Sequence, residues 1–160
     1  MKKASFGFWL IVVAQVAFLL SWAAWHEHVR AHGPEILLKA HPVDPRDLLR
    51  GDYMTLGYAI ADVETPAGLA EGKACWVVLA PDGKYFSAVR ASVSEPEPGP
   101  GQLAVRGTVG RRGVLYGIEN YYVPEGKGSP KFETIEVEVA VSPAKQLYIR
   151  RVLLDGKAYP

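Results

Sequence analysis

Apolar and polar positions along the chain fall into two regimes. Residues 6–25 contain no charge over twenty positions, and a helix of that length runs about 30 Å, the thickness of a bilayer's hydrocarbon core. From Glu35 onward the apolar runs are short, often alternate with polar residues, and are punctuated by glycine and proline. That is the pattern of strands. It predicts eight of them, over residues 35–40, 53–60, 74–80, 85–94, 102–109, 114–123, 134–141 and 147–154.

Pro81-Asp82-Gly83-Lys84 is a hairpin signal, because Gly83 can take the positive φ that a tight turn between two strands requires. Gly110-Arg111-Arg112-Gly113 and Ser142-Pro143-Ala144-Lys145 read as turns of the same kind, so the second half is expected to be an antiparallel meander. In the seventh strand Ile135, Val137, Val139 and Val141 alternate with Glu136 and Glu138, which predicts one face in the core and one in water. Val77-Val78-Leu79 lacks alternation and is expected to be covered on both faces. The stretch from Glu95 to Gly101 holds three prolines without amide donors and is expected to be a rim loop. The fold class is therefore all-β, an antiparallel barrel or sandwich-like domain of about eight strands.

These patterns divide the chain into an N-terminus at 1–5, a transmembrane anchor at 6–25, a juxtamembrane tether at 26–34 and a β-domain at 35–160. Lys2 and Lys3 precede the apolar run, which favours a cytoplasmic N-terminus, a single pass through the inner membrane and an exported, periplasmic β-domain. A cleaved signal peptide is the competing reading, with Ser21 and Ala23 as the small residues of a cleavage site, but the run exceeds the roughly 7 to 15 residues of a signal core. The formal charge of +1 gives no concentrated basic footprint, so nucleic acid is not an expected partner. Cys75, the single cysteine, sits in the apolar run Ala74–Leu79 and is expected to be a buried, inert thiol.

The densest chemistry lies between His41 and Tyr58. Asp44 suits an N-cap, Pro45 the first helical position, Asp47 the positive end of the dipole and Gly51 the stop, which predicts one short helical turn before the second strand. Arg46 and Arg50 are four apart and share a face beside Asp52. Such a cluster either locks a turn or binds a ligand or partner through charge-assisted hydrogen bonds. Along the strand that follows, Leu56 and Tyr58 fall on the core side.

Gly51 to Tyr58 match the signature GDYxxLxY, and the chain resembles the family of membrane-anchored bacterial proteins named for that motif. A second block, Tyr116 to Gly128, resembles the family's stretch YGxExYFVPEG, with Tyr122 standing where phenylalanine is common. The closing stretch from Tyr148 to Gly156 is a third, so the resemblance spans residues 36–156. It implies a multi-spanning membrane protein as partner, besides the bilayer itself, and no secured activity. The candidate binding surface is Asp44, Arg46, Asp47, Arg50, Gly51, Asp52, Tyr53, Tyr58, Glu119, Tyr121 and Glu125. The expected role is an extracytoplasmic interaction or accessory module. The alternative is an envelope enzyme or small-ligand binder, hydrolase-like, built on Asp52, Glu119 and Glu125, since paired carboxylates among aromatics can serve glycoside hydrolysis at the right separation.

No catalytic residue, metal ligand or cofactor is assigned. His26, His28 and His32 cluster, the last two at helical spacing, but no cysteine or carboxylate set completes a metal site. Arg50 to Leu56 is also similar to the RGD(I/V)V box of bacterial signal peptidases, yet no Ser-Met pair follows the apolar run and no lysine occupies a general-base motif. Gly126-Lys127-Gly128 lacks the frame of a phosphate-binding loop.

Overall fold

A computed structural model describes residues 2–43, 53–122 and 132–159. The predicted helical turn before Tyr53, and with it the cluster of Arg46, Arg50 and Asp52, lies outside the described residues. Helix α1 runs Lys2–His32, and within it Gly7–Glu27 is long and apolar enough to cross a membrane. None of that stretch is buried against the rest of the chain; Trp9, Trp22 and Trp25 are each more than half exposed. A helix that is apolar all round and covered by nothing has the surface of a membrane span.

Ten strands follow among the described residues, in two curled antiparallel sheets. They are β1 Glu35–Pro42, β2 Tyr53–Tyr58, β3 Ala74–Asp82, β4 Tyr85–Ser92, β5 Leu103–Gly110, β6 Gly113–Leu115, β7 Asn120–Tyr122, β8 Ile135–Val141, β9 Leu147–Leu154 and β10 Lys157–Tyr159. One sheet has the order β10-β9-β8-β1-β2-β7 and the other β4-β3-β5-β6. The six-stranded sheet curls far enough for the Tyr121 hydroxyl on one edge to approach the Tyr159 carbonyl on the other, at 3.5 Å.

The core follows from the alternation. Ile36, Leu38 and Ala40 of β1, Leu56 and Tyr58 of β2, and Val137 and Val139 of β8 meet Val77, Leu79, Val105 and Val114 of the second sheet. Val77, Val78 and Leu79 are all fully buried, as their unbroken apolar run predicts. Cys75 is buried too, and burial pushes its thiol up from the ordinary value.

Three differences from the sequence pattern have local causes. The strand predicted over 114–123 is split into β6 and β7, because Gly117 turns the chain at φ 81. A tenth strand forms because Asp155 and Gly156, at φ 50 and 75, make the two-residue turn that pairs Leu154 with Lys157. The third concerns β8, whose glutamate face is not in water at Glu136, which is only 7% exposed. The β3–β4 hairpin lays Lys84 and Tyr85 over it, each 2.5 Å from its carboxylate. Those two donors, Lys84 first, hold Glu136 below the usual carboxylate range.

Candidate functional site

The two sequence blocks that carry the resemblance are joined in space. β2 pairs with β7, with Tyr53 opposite Tyr122, Met54 opposite Tyr121 and Thr55 opposite Asn120. The ladder is extended by the Leu56 amide, which donates to the Glu119 carbonyl at 2.7 Å. Two tyrosines then brace the join in opposite directions. Tyr58 donates its hydroxyl to the Ile118 carbonyl at 2.8 Å, and Tyr116 donates to the Ile60 carbonyl at 2.7 Å. Ile60 lies in the 3-10 turn Ala59–Ala61 that directly follows β2.

The Tyr116 brace depends on two neighbours that leave room for it. Gly107 of β5 is the floor beneath β6: a Cβ there would stand 2.3 Å from Val114 Cγ1 and 3.5 Å from the Tyr116 ring. Gly113 closes the β5–β6 turn at φ 115 against the Ala61 carbonyl, which a Cβ would approach to 2.3 Å. Both positions therefore exclude a side chain by contact, and Gly113 also by conformation.

Glu119 folds back across the turn between β6 and β7. One carboxylate oxygen accepts the Tyr116 amide at 2.5 Å and the other the Gly117 amide at 2.9 Å. The carboxylate so held raises the pKa of Tyr58 and Tyr116, but burial is the larger cause in both. Both phenols stay protonated as donors across the ordinary pH range. On its outer side Glu119 borders an open cleft of about 500 Å³, whose wall includes Arg106, Thr108, Tyr116 and Gln146. Arg106 stacks over the ring of Trp76 at 5.6 Å.

Of the eleven candidate residues, the structure brings Tyr53, Tyr58, Glu119 and Tyr121 into one strand pair. Asp44, Arg46, Asp47, Arg50, Gly51, Asp52 and Glu125 lie outside the described residues. The segments that hold them continue from Tyr53 and Tyr122, whose strand ends are paired. Tyr116 was not among the candidates, although its place at the head of the second block made it visible. Nothing local in the sequence marks the carbonyls of Ile60 and Ile118 as its and Tyr58's acceptors. Among the described residues no group of three His, Cys, Asp or Glu is placed to hold a metal ion. His26 packs edge-on against Trp22, with ring centroids 5.3 Å apart.

A compact antiparallel β-domain, carried on one helix of membrane-spanning length and braced where two sequence blocks interlock, is the class that fold and site define. The chain belongs to the GDYXXLXY protein family, whose sequence model matches residues 15–158, from within α1 through β10. No curated protein and no solved structure matches it.

Proposed function

We propose that this is a single-pass protein of the bacterial inner membrane whose β-domain stands on the periplasmic side as an interaction or accessory module of a multi-spanning membrane protein. Lys2 and Lys3 ahead of the apolar stretch favour a cytoplasmic N-terminus. Gln15 and Ser21, both exposed on α1, offer hydrogen bonds to a neighbouring helix, each contributing about 0.6 to 2 kcal/mol in a membrane.

The observation that carries the reading is the use to which the described signature side chains are put. Tyr58 spends its hydroxyl on the Ile118 carbonyl, tying β2 to the segment that leads into β7, and Glu119 spends its carboxylate on the amides of its own turn. A site built for substrate would keep such atoms pointed at open space. A site built for a partner needs a rigid scaffold, and the paired strands at Tyr53 and Tyr122 supply one.

The test is affinity purification of the full chain, tagged at its C-terminus and kept at native level, from mild detergent, alongside Asp52→Asn. A stoichiometric multi-spanning protein on an uncleaved chain is the expected result, weakened in the variant while the melting temperature holds. A solitary folded chain would overturn it and turn attention to the cleft beside Glu119 as a ligand site.

A further inference from the structure

An open groove of about 560 Å³ joins the helix to the domain: its wall includes His26 of α1 together with Tyr121, Tyr122, Tyr148, Ile149 and Arg150. His26 stands one residue before the end of the membrane-length stretch Gly7–Glu27. The tyrosines that share its groove are therefore held at the depth where hydrocarbon gives way to headgroups. Tyrosine and tryptophan concentrate at that depth, since a ring seats in the apolar layer while its polar edge stays hydrated. Trp22 and Trp25, 56% and 61% exposed, mark the same level from the helix side.

Tether length gives the same answer independently. Helix α1 continues only from residue 28 to residue 32 beyond the stretch, and β1 starts at Glu35. Five helical residues and two extended ones span at most about 15 Å, while the headgroup layer on one side is about 6 Å deep. The start of β1 is therefore held within about 9 Å of the headgroup surface, 15 Å of tether less the 6 Å layer, which keeps the domain beside the bilayer. Tyr122, on the edge strand β7, is 75% exposed, the largest exposure among the large apolar and aromatic side chains described in the β-domain. Such a ring facing a membrane surface at this distance has a natural cover.

We propose that the tyrosine rim of β7 and β9 docks on the phospholipid surface, with Tyr122 and Tyr148 seated among the headgroups. Arg150 binds Glu35 through one guanidinium nitrogen, and its remaining N–H groups face lipid phosphate. The inference rests on the reading of α1 as a membrane span. It fixes the orientation of the domain, and it sets the paired ends of β2 and β7 beside the bilayer, at the level where a multi-spanning partner exposes its loops.

The experiment uses the full chain reconstituted in vesicles of phosphatidylcholine and phosphatidylglycerol. A bimane label is attached at Tyr122→Cys, Tyr148→Cys or Val16→Cys; Cys75 is buried and stays unlabelled. Loss of emission at 122 and 148 to a headgroup-borne quencher, with Val16 quenched from mid-bilayer, is the expected result. Quenching at 122 and 148 by aqueous iodide alone, with Val16 still quenched from mid-bilayer, refutes the docking and leaves the anchor standing. Protection from both quenchers at 122 and 148 means that protein covers the rim, which also refutes it. A Val16 label that no lipid-borne quencher reaches removes the anchor, and the docking with it. Tyr122 is exposed enough that its substitution alone decides the matter if Tyr148→Cys does not fold.

Discussion

Where β2 meets β7, the domain is braced by neutral phenols donating to main-chain carbonyls; where the β3–β4 hairpin folds over β8, it is braced by a carboxylate between an ammonium and a phenol. The first arrangement buries no formal charge in its tyrosine bonds, so it gains in a low dielectric and asks for no counter-ion. The second keeps Lys84 largely in solvent, so the pair is screened by water while the glutamate is not. The same fold thus carries one brace insensitive to acid and one insensitive only above the carboxylate's range.

The comparison breaks hardest at the tyrosines. Tyr58→Phe or Tyr116→Phe leaves a buried carbonyl without its donor, an expected loss of about 1 to 3 kcal/mol each, measured by urea unfolding of the full chain in detergent. Burial, then the Glu119 charge in the case of Tyr58 and Cys75 followed by Glu119 in that of Tyr116, lifts both phenols above their ordinary 10.0. A group raised on folding stabilises fully below its unfolded pKa and loses that contribution as pH rises past it. The double variant is therefore expected to lose less stability than the parent above about pH 10. An unchanged alkaline profile would show that the phenols are not held as described.

Glu136→Gln is the next largest. Lys84 and then Tyr85 lower this carboxyl from 4.5, so its contribution is present above that value and disappears as pH falls through the folded one. The substitution is expected to flatten the acid limb of the stability profile below about pH 4.5 and, because Glu136 is the first cause that raises the Lys84 ammonium, to remove that group's part of the alkaline limb while leaving the part due to Tyr58 and Tyr116. Circular dichroism melts across pH 3 to 6 read this on the order of a few degrees.

The smallest effect is at Gly57→Ala. A Cβ there would come 2.4 Å from His41 Nε2, the residue opposite it on β1. His41 is exposed and free to swing aside, so the change is expected to stay within about 0.5 kcal/mol and to vanish in a His41→Ala background. A larger cost would mean that the imidazole is pinned.

Much of the fold was legible because its information is local. β1, β3 and β9 follow from apolar spacing and flanking turn residues, and the turns at Gly83 and Lys145 follow from their sequences. β10 was equally available: Asp155-Gly156 is a strong turn pair, and Lys157–Tyr159 follow it directly. Glu136 was out of reach, since the residues that cover it lie 51 and 52 positions away and no periodicity reports a second layer. The site divides the same way. Leu56 and Tyr58 could be assigned to the core from their positions on β2, whereas the return of Glu119 onto its own turn depends on the bend at Gly117.

The tyrosine braces also bear on how a signature of this kind is inherited. Each ends on a carbonyl oxygen, and a carbonyl is supplied by any residue whatever its side chain. Positions 60 and 118 are thus answerable only for being apolar and buried, while 58 and 116 must each deliver a hydroxyl at the end of a ring. Half of each interaction leaves no trace in the alphabet. A motif can be short and still specify a long-range join, because only the donors need to be spelled.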